Sequence, residues 1–272
     1  VEIGPNVENL HIGQRVVVRP LKPGEPAAVD NGYTHIGKNL QFIGIDTPGA
    51  MQSSWTVPAY TLHNLPESVS LLHGALIEPL AVACHDVRLA EIKPGEHVVV
   101  IGGGPIGLLI ALVARQRGAS VLLSEVNPQR RSLAEQFGFS TVDPLQEDLL
   151  AAVGRATDEA YADVVFEVSG TSAGVEAMTP LLRVRGRIVM VAIHAKPQPV
   201  DLFAFFWREL RMLGARVYEP EDFDEAIGLA AAGHLPLDQI ITEVAPLDDI
   251  QRVFATIDQN PAGMKYLLNC IS

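Results

Sequence analysis

The pattern of apolar and polar positions is clearest around a glycine cluster at residues 102–107. An uninterrupted β-branched run at 98–101 leads into the cluster, and a stretch of Leu, Ile, Ala and Val follows it. A second apolar run, at 121–123, is closed by the carboxylate of Glu125. Short apolar runs of this kind indicate buried strands, and the longer stretch indicates a helix. The pattern therefore predicts a strand, a turn, a helix and a second strand in succession.

The alternation of strand-like and helix-like segments continues along the chain towards residue 217. We predict helices at 128–138, 149–157 and 173–182, and strands at Val142, 162–168, 186–193 and 210–217. Strands that alternate with helices at this spacing are typical of a parallel sheet with right-handed crossovers. The predicted fold class is therefore α/β, with a doubly wound parallel sheet.

The flanking segments have a different pattern. Short strand-like runs separated by turns are predicted at 13–18, 42–45, 54–57 and 61–65. A helical pattern over 71–90 is interrupted by Glu78 and Pro79, because proline suits a helix start and holds the preceding residue extended. Near the end of the chain we predict helices at 221–233 and 248–257 and a last strand at 266–268. The boundaries between the two patterns are expected near 76–81 and 215–219.

The glycine cluster has the chemistry of a dinucleotide site. Gly102 allows a tight turn, Gly104 lets the backbone approach a pyrophosphate, and Gly107 lets the helix pack on the strand. Glu125, at the end of the next strand, is placed to bind the ribose hydroxyls and to repel the extra phosphate of NADP, which favours NAD. Arg130 and Arg131 follow, and a guanidinium there could partly neutralise the acid. The alternative is a glycine-rich turn in an ordinary parallel sheet.

Composition limits which binding partners and which cellular compartment we expect. The 272 residues carry a formal net charge of −12, which argues against nucleic acid or an anionic membrane surface as the main partner. The two cysteines, Cys84 and Cys270, lie far apart in the sequence, so we expect neither a disulfide framework nor a C-x-x-C metal site. A reduced, cytoplasmic location is the expectation. The uncharged stretch at 97–114 is cut by its glycines and Pro105, and we do not expect a membrane span there.

Several phrases of the sequence carry a family resemblance: 40–45, 77–83 with Glu78-Pro79-Leu80 inside it, and 99–107. With them the chain resembles the zinc-dependent medium-chain dehydrogenases, in the branch that holds sorbitol, butanediol, threonine and sugar-acid dehydrogenases. The resemblance implies a Rossmann NAD-binding domain at 78–218. It also implies a GroES-like β domain made of 1–77 and 219–272, of which the first part is incomplete at its amino end.

The resemblance also implies roles for particular residues. The turn with Gly102, Gly104, Pro105, Ile106 and Gly107 would hold the pyrophosphate. Glu125 would bind the ribose with Arg130 beside it, and Ser169 would lie near the adenosine. The nicotinamide amide would meet Val191 and Ile193. Arg216 would lead back towards the cleft, or else be a surface arginine at the domain join.

Zinc is the point at which the sequence departs from the family. The catalytic zinc of the family is held by a Cys and a Gly-His-Glu motif that belong before Val1, so we expect this zinc only where that segment is present. Glu78 is the remaining candidate for the metal and for catalysis, and one carboxylate alone does not hold zinc. His85 is expected to be a packed or capping histidine. The loop at 24–37 lacks the four cysteines of the structural zinc, so we expect no structural zinc and a mobile loop.

Three functions are compatible with these residues. The first is an NAD-dependent oxidoreductase of the zinc alcohol dehydrogenase type, which oxidises a secondary alcohol of a polyol or sugar acid to a ketone. The alternative is a catalytically inactive NAD(H)-binding protein. The third is a zinc-independent quinone or enoyl reductase, against which Glu78-Pro79-Leu80 and Glu125 argue.

The aromatic segment at 200–217 bears on assembly. Its apolar side chains follow one another closely and include Leu202, Phe203, Phe205, Phe206 and Trp207. They form an oligomer interface or cap the edge of the sheet, and we favour the interface because the family pairs its Rossmann sheets. The expected assembly is a homodimer or homotetramer.

Overall fold

The computed structural model describes residues 2–270. Val1, Ile271 and Ser272, at the ends of the predicted GroES-like domain, lie outside the described residues. Two compact units make up the chain. The first contains the residues up to Ala81 together with those from Val217 onward, and the second, the central unit, runs from Val82 to Arg216.

The first four strands of the described chain have only two or three residues each. They are β1 (Val16–Val18), β2 (Leu21–Lys22), β3 (Gln41–Phe42), β4 (Leu62–Asn64), β5 (His97–Ile101), β6 (Ser120–Ser124), β7 (Ser140–Val142), β8 (Ala162–Glu167), β9 (Leu182–Met190), β10 (Arg211–Gly214), β11 (Ile241–Pro246) and β12 (Lys265–Asn269). The five strands β5, β6, β8, β9 and β10 fall on the apolar runs that predict them.

Helices follow most strands of the central unit. They are α1 (Leu71–Gly74), α2 (Ile77–Leu89), α3 (Pro105–Gln116), α4 (Pro128–Gln136), α5 (Leu149–Ala156), α6 (Ser172–Met178), α7 (Leu202–Arg208), α8 (Pro220–Ala232) and α9 (Ile250–Gln259). Among residues 2–270, none of these helices has both the length and the apolar character that crossing a bilayer requires.

The central unit is built on one parallel sheet of six strands in the order β7-β6-β5-β8-β9-β10. The chain leaves β5 towards one edge of the sheet and returns to β8 on its other side, so a topological switch point lies between β5 and β8. Val99, in β5, pairs with Leu122 in β6 and with Val165 in β8, and all three are buried. Burial on both faces explains the unbroken apolar runs. The predicted Rossmann class, α/β and doubly wound, is confirmed.

In the first unit the described strands form three two-stranded ladders. β1 pairs with β4 and β2 with β3, both antiparallel, while β11 and β12 run parallel. The predicted strand at 54–57 is absent among the described residues, and the strand predicted at 42–45 ends at Phe42. Gly44 explains the second difference: its φ of +103° turns the chain, and its N–H donates to the carbonyl of Thr47.

The interruption of the 71–90 helix lies earlier than the sequence predicts. The break falls between α1 and α2, at residues 75–76, and Ile77, Glu78 and Pro79 form the first turn of α2. Proline is tolerated there because the first amides of a helix have no partner inside it. As a consequence Glu78 belongs to the first turn of a helix and is half-buried.

Candidate functional site

The turn between β5 and α3 depends on glycine at two positions. Gly102 has a φ of +105°, and a Cβ there would lie 2.9 Å from the amide nitrogen of Ser169. A Cβ at Gly107 would overlap the carbonyl oxygen of Gly102. The first turn of α3 therefore packs directly on the preceding turn, as close packing of helix and strand requires.

The start of α3 presents backbone donors without partners inside the helix. Gly104 is the residue before the helix and has no side chain to cap it, while its carbonyl accepts from Leu108 at 2.9 Å. Pro105 has no N–H, so the amides at this end belong to Ile106 and Gly107. These donors and the positive end of the helix dipole suit an anion such as a pyrophosphate.

Glu125 is buried just after β6 and is held by the backbone. Its Oε2 accepts from Gly103 N–H and its Oε1 from Asn127 N–H, each at 2.7 Å. A carboxylate offers about four lone-pair sites, so two remain for a ligand. The guanidinium of Arg130 lies 4.0 Å from Oε2 and next to Gly104. The carboxylate is thus oriented towards the glycine turn before any ligand arrives.

The two arginines after Glu125 have different surroundings. Arg131 donates to the carbonyls of Glu125 and Val126, each at 2.8 Å, and pairs with Asp143 at 3.1 Å. Arg130 is therefore the guanidinium beside the carboxylate, and Arg131 braces the backbone that carries it.

One cavity of about 360 Å³ joins these features. Gly102, Gly104, Glu125, Arg130 and Ser169 line it together with residues of the β8–α6 connection. Ile106 and Gly107 lie at the adjoining helix start. Val191 and Ile193 come after the end of β9, and Arg216 is exposed after β10; these three do not line the cavity. The structure therefore brings the predicted pyrophosphate and ribose residues together and leaves the other three apart.

Glu167 is a second carboxylate of this region, and the sequence reasoning missed it. It is fully buried at the end of β8, and its Oε1 accepts from the N–H of Ser169 at 3.0 Å and of Gly170 at 3.2 Å and from the hydroxyl of Ser169 at 2.5 Å. The carboxylate therefore shapes the turn that carries Ser169. An acid inside the apolar run 162–168 was the available signal, since a buried charge needs hydrogen-bond partners.

Glu78 belongs to the first unit, where its partners come from distant parts of the chain. It accepts a hydrogen bond from the hydroxyl of the buried Tyr218 and lies near the ammonium of Lys265. Burial raises the pKa of Glu78, and the Lys265 charge and the Tyr218 hydrogen bond oppose that rise. Burial lowers the pKa of Lys265, and the charge of Glu78 opposes this fall. Burial and the charge of Glu78 together raise the pKa of Tyr218 far above its usual range.

This group of side chains does not fit a catalytic zinc. Such a zinc takes three protein ligands and one open position, whereas the neighbours of Glu78 within this unit are a phenol and an ammonium. A cation beside a metal ligand also opposes metal binding. His85, buried in the central unit, lies 3.2 Å from the guanidinium of Arg88 through its Nδ1.

The loop at 24–37 is organised by its own side chains. Asp30 accepts from the N–H groups of Ala27 and Lys38, each at 2.8 Å, and these bonds lower its pKa. Two 3-10 turns, Ala28–Asp30 and Thr34–Ile36, form within it, and His35 is buried 3.9 Å from Glu219. The loop that the sequence predicts to be mobile is thus closed by hydrogen bonds.

Comparison with known proteins bears on the whole chain. Residues 1–67 match the family described as alcohol dehydrogenase GroES-like domain, and residues 105–232 match that of the zinc-binding dehydrogenases. The 2-dehydro-3-deoxy-L-galactonate 5-dehydrogenase of Pseudoalteromonas atlantica is 55% identical over 99% of this chain and 79% of its own length. The chain belongs to the zinc-binding alcohol dehydrogenases. The family resemblance, the fold and the assignment to the NAD-dependent alcohol and polyol dehydrogenases are confirmed.

Two solved structures resemble this dehydrogenase closely. The 2R,3R-butanediol dehydrogenase of Bacillus subtilis superimposes with a TM-score of 0.91 at 30% identity, over 99% of this chain and 77% of its own. A second structure, from Sinorhizobium meliloti, is described as a zinc-binding dehydrogenase bound to NADP. It superimposes with a TM-score of 0.90 at 32% identity, over 98% of this chain and 80% of its own. These likenesses support a nicotinamide dinucleotide, NAD(P), as the cofactor class of the family.

Proposed function

We propose that this chain is an NAD-dependent dehydrogenase that oxidises a secondary hydroxyl of a sugar acid to the ketone. The main support for this proposal is the cavity in which the glycine turn, the start of α3 and the buried Glu125 meet. The substrate class is supported by the relative from Pseudoalteromonas atlantica, whose name specifies oxidation of a sugar acid. We assign 78–218 to the cofactor domain, and 1–77 with 219–272 to the GroES-like domain.

The preference for NAD follows from the anchoring of Glu125. A carboxylate fixed by two backbone N–H groups cannot easily turn away from a 2′-phosphate, and the two negative groups repel each other. Arg130 reduces this repulsion, because its guanidinium lies 4.0 Å from the carboxylate. We therefore expect NAD to be preferred by about tenfold.

The residues of the cavity bind and orient the cofactor. Bound NAD would accept a hydride from the carbon that carries the hydroxyl, and the hydroxyl proton would pass to a base or through water to the solvent. The amides of Ile106 and Gly107 hold the pyrophosphate, and Glu125 accepts from the ribose hydroxyls. Glycine at 102 and 107 keeps the turn close enough for these contacts.

We further propose that zinc binding requires the Cys and Gly-His-Glu ligands of the family in addition to Glu78. Metal analysis of the purified chain tests this ligand set. The expected result is less than stoichiometric zinc in the 1–272 chain and no change on Glu78→Gln. One zinc per chain, lost in Glu78→Gln, would show that the residues of this chain suffice.

An enzymatic assay tests the proposed activity. The sugar acid 2-dehydro-3-deoxy-L-galactonate is oxidised with NAD, and in the reverse direction the resulting ketone is reduced with NADH. Both reactions are followed by the absorption of NADH. With the protein that also carries the Cys and Gly-His-Glu zinc ligands, we expect turnover with the sugar acid, and slower turnover with a butanediol. Binding of NADH without turnover of any polyol or sugar acid would favour the inactive NAD(H)-binding protein instead.

We also propose that α7 forms part of a homodimer or homotetramer interface. Leu202, Phe203, Phe206 and Trp207 are exposed on this helix, and Phe203 and Trp207 stack with ring centroids 5.8 Å apart. The neighbouring β10 is an edge strand of the sheet. Light scattering tests the assignment: the wild-type chain should be oligomeric and the variant Phe206→Ser with Trp207→Ser smaller. An unchanged mass would place the interface elsewhere.

A further inference from the structure

A buried carboxylate and a histidine meet at the carboxyl edge of the central sheet. Oε2 of Glu167 lies 3.0 Å from Nε2 of His194, on the opposite side of the carboxylate group from the Ser169 turn. The carbonyl of Glu167 accepts from the N–H groups of Val191 at 3.0 Å and Ala192 at 3.1 Å. The one residue therefore holds segment 191–194 through both its backbone and its side chain.

This segment occupies the second half of a doubly wound sheet. In such sheets each half binds one mononucleotide beyond the carboxyl ends of its strands. The glycine turn and Glu125 belong to β5 and β6, the half that takes the adenosine. Segment 191–194 follows β9 in the other half, where the nicotinamide mononucleotide is expected.

Segment 191–194 lies at the surface, and His194 anchors it. Ile193 is 97% exposed and the residues at 195–197 are exposed, whereas the side chain of His194 is 14% exposed. The anionic partner of Nε2 assigns the proton to that nitrogen, which leaves Nδ1 as a bare acceptor. Nδ1 is buried and accepts no hydrogen bond from residues 2–270. The contact between Nε2 and Glu167 therefore fixes the ring of His194 and, through it, the segment.

We propose that Glu167 and His194 form a positioning pair that fixes segment 191–194 for the nicotinamide end of the cofactor. The pair acts on the segment through Oε2 of Glu167, while Oε1 of the same carboxylate holds the Ser169 turn. This inference rests on the proposed function, since it needs a nicotinamide cofactor in the central unit. It adds two residues to those that the family resemblance implies.

Calorimetric titration with two ligands tests the proposal. NADH contains the nicotinamide, whereas ADP-ribose has only the adenosine, pyrophosphate and second ribose. We expect His194→Leu to weaken NADH binding about tenfold, the size expected for losing a hydrogen bond to a charged group. ADP-ribose binding should stay within about twofold of the wild type. In turnover, the variant should raise KM for NAD more than it lowers kcat.

Two further variants separate positioning from general stability. His194→Gln can still donate an N–H to Glu167, and we expect it to restore most of the NADH affinity. His97→Leu, in β5 at the other end of the same sheet, should leave both ligands unaffected.

The outcomes distinguish the proposal from the function on which it rests. Equal losses for both ligands in His194→Leu, or no loss for either, would overturn the positioning pair while the cofactor site stands. Failure of His194→Gln to restore NADH affinity would also count against it. A wild-type chain that binds neither ligand would overturn the proposed function together with the pair.

Discussion

The two carboxylates predicted to take part in function are held in opposite ways. Glu125, in the central unit, accepts from two backbone N–H groups. One belongs to Gly103 in the glycine turn and the other to Asn127, two residues further along the chain. Glu78, in the first unit, depends on the side chains of Tyr218 and Lys265 from the far end of the chain. The first is fixed by local backbone geometry, and the second by tertiary packing.

This difference has consequences for function and stability. A carboxylate held by the backbone keeps its position when nearby side chains change, which suits a group that selects a cofactor. A carboxylate balanced by a buried ammonium is sensitive to the loss of either partner, because the remaining charge stays in a poorly solvated place. Variants in the two regions should therefore fail in different ways.

The largest effect is expected at Gly107. A methyl group there would overlap the Gly102 carbonyl, so Gly107→Ala should cost about 3 kcal/mol of unfolding free energy and remove NADH binding. Gly228→Ala is the matched control: this glycine lies within α8 with open space around it, and alanine there should stabilise by about 1 kcal/mol. For both variants, urea unfolding measures the free energy of unfolding and NADH fluorescence measures cofactor binding. Unaltered NADH binding in Gly107→Ala would break the description of the turn.

The next effect concerns the first unit. Lys265→Met leaves Glu78 without its cation and should cost about 3 kcal/mol at pH 7. Glu78→Gln combined with Lys265→Met removes both charges and should return to within about 1 kcal/mol of the wild type. The exposed Lys22→Met is the control. A double variant as unstable as Lys265→Met would mean that packing, not charge balance, is responsible.

Glu125→Gln should have a smaller effect, on cofactor choice. Loss of the negative charge removes the repulsion of a 2′-phosphate and weakens the ribose contact. We expect the ratio of NADPH to NADH affinity to rise about tenfold. Glu176→Gln, an exposed substitution on α6 with the same charge change, should leave the ratio as it is. An unchanged ratio in Glu125→Gln would remove this residue from cofactor selection.

The smallest effect is the pH dependence of the Lys265→Met deficit. The pKa of Glu78 is raised in the folded chain above its ordinary value of 4.5. The neutral carboxyl therefore contributes to the free energy of unfolding below pH 4.5, and this contribution is lost as pH rises through the folded pKa. Without the Lys265 charge, which lowers the pKa of Glu78, more unfolding free energy is lost when the carboxyl ionises. Urea unfolding at pH 4, 5.5 and 7, with chelator present, should therefore show a deficit that shrinks towards pH 4. A deficit that is the same at every pH would contradict the charge argument.

The sequence predicts the central unit far better than the charge clusters. The strand at 98–101, the glycine turn and Glu125 are close in the chain, so their periodicity and spacing carry the structure of the site. Tyr218 and Lys265 have no local signal that links them to Glu78. His194 likewise has no local signal in the sequence that links it to Glu167. Its role depends on the return of the chain from β9 to the side of β8, which the sequence pattern does not specify at the level of single contacts.

Titration of the wild-type chain with NADH and NADPH, followed by nicotinamide fluorescence, tests the central claim most directly. The cavity with its glycine turn and buried Glu125 should bind NADH, and NADPH about tenfold more weakly. Absence of NADH binding, or equal or tighter binding of NADPH, would contradict the assignment of Glu125 as the residue that selects NAD.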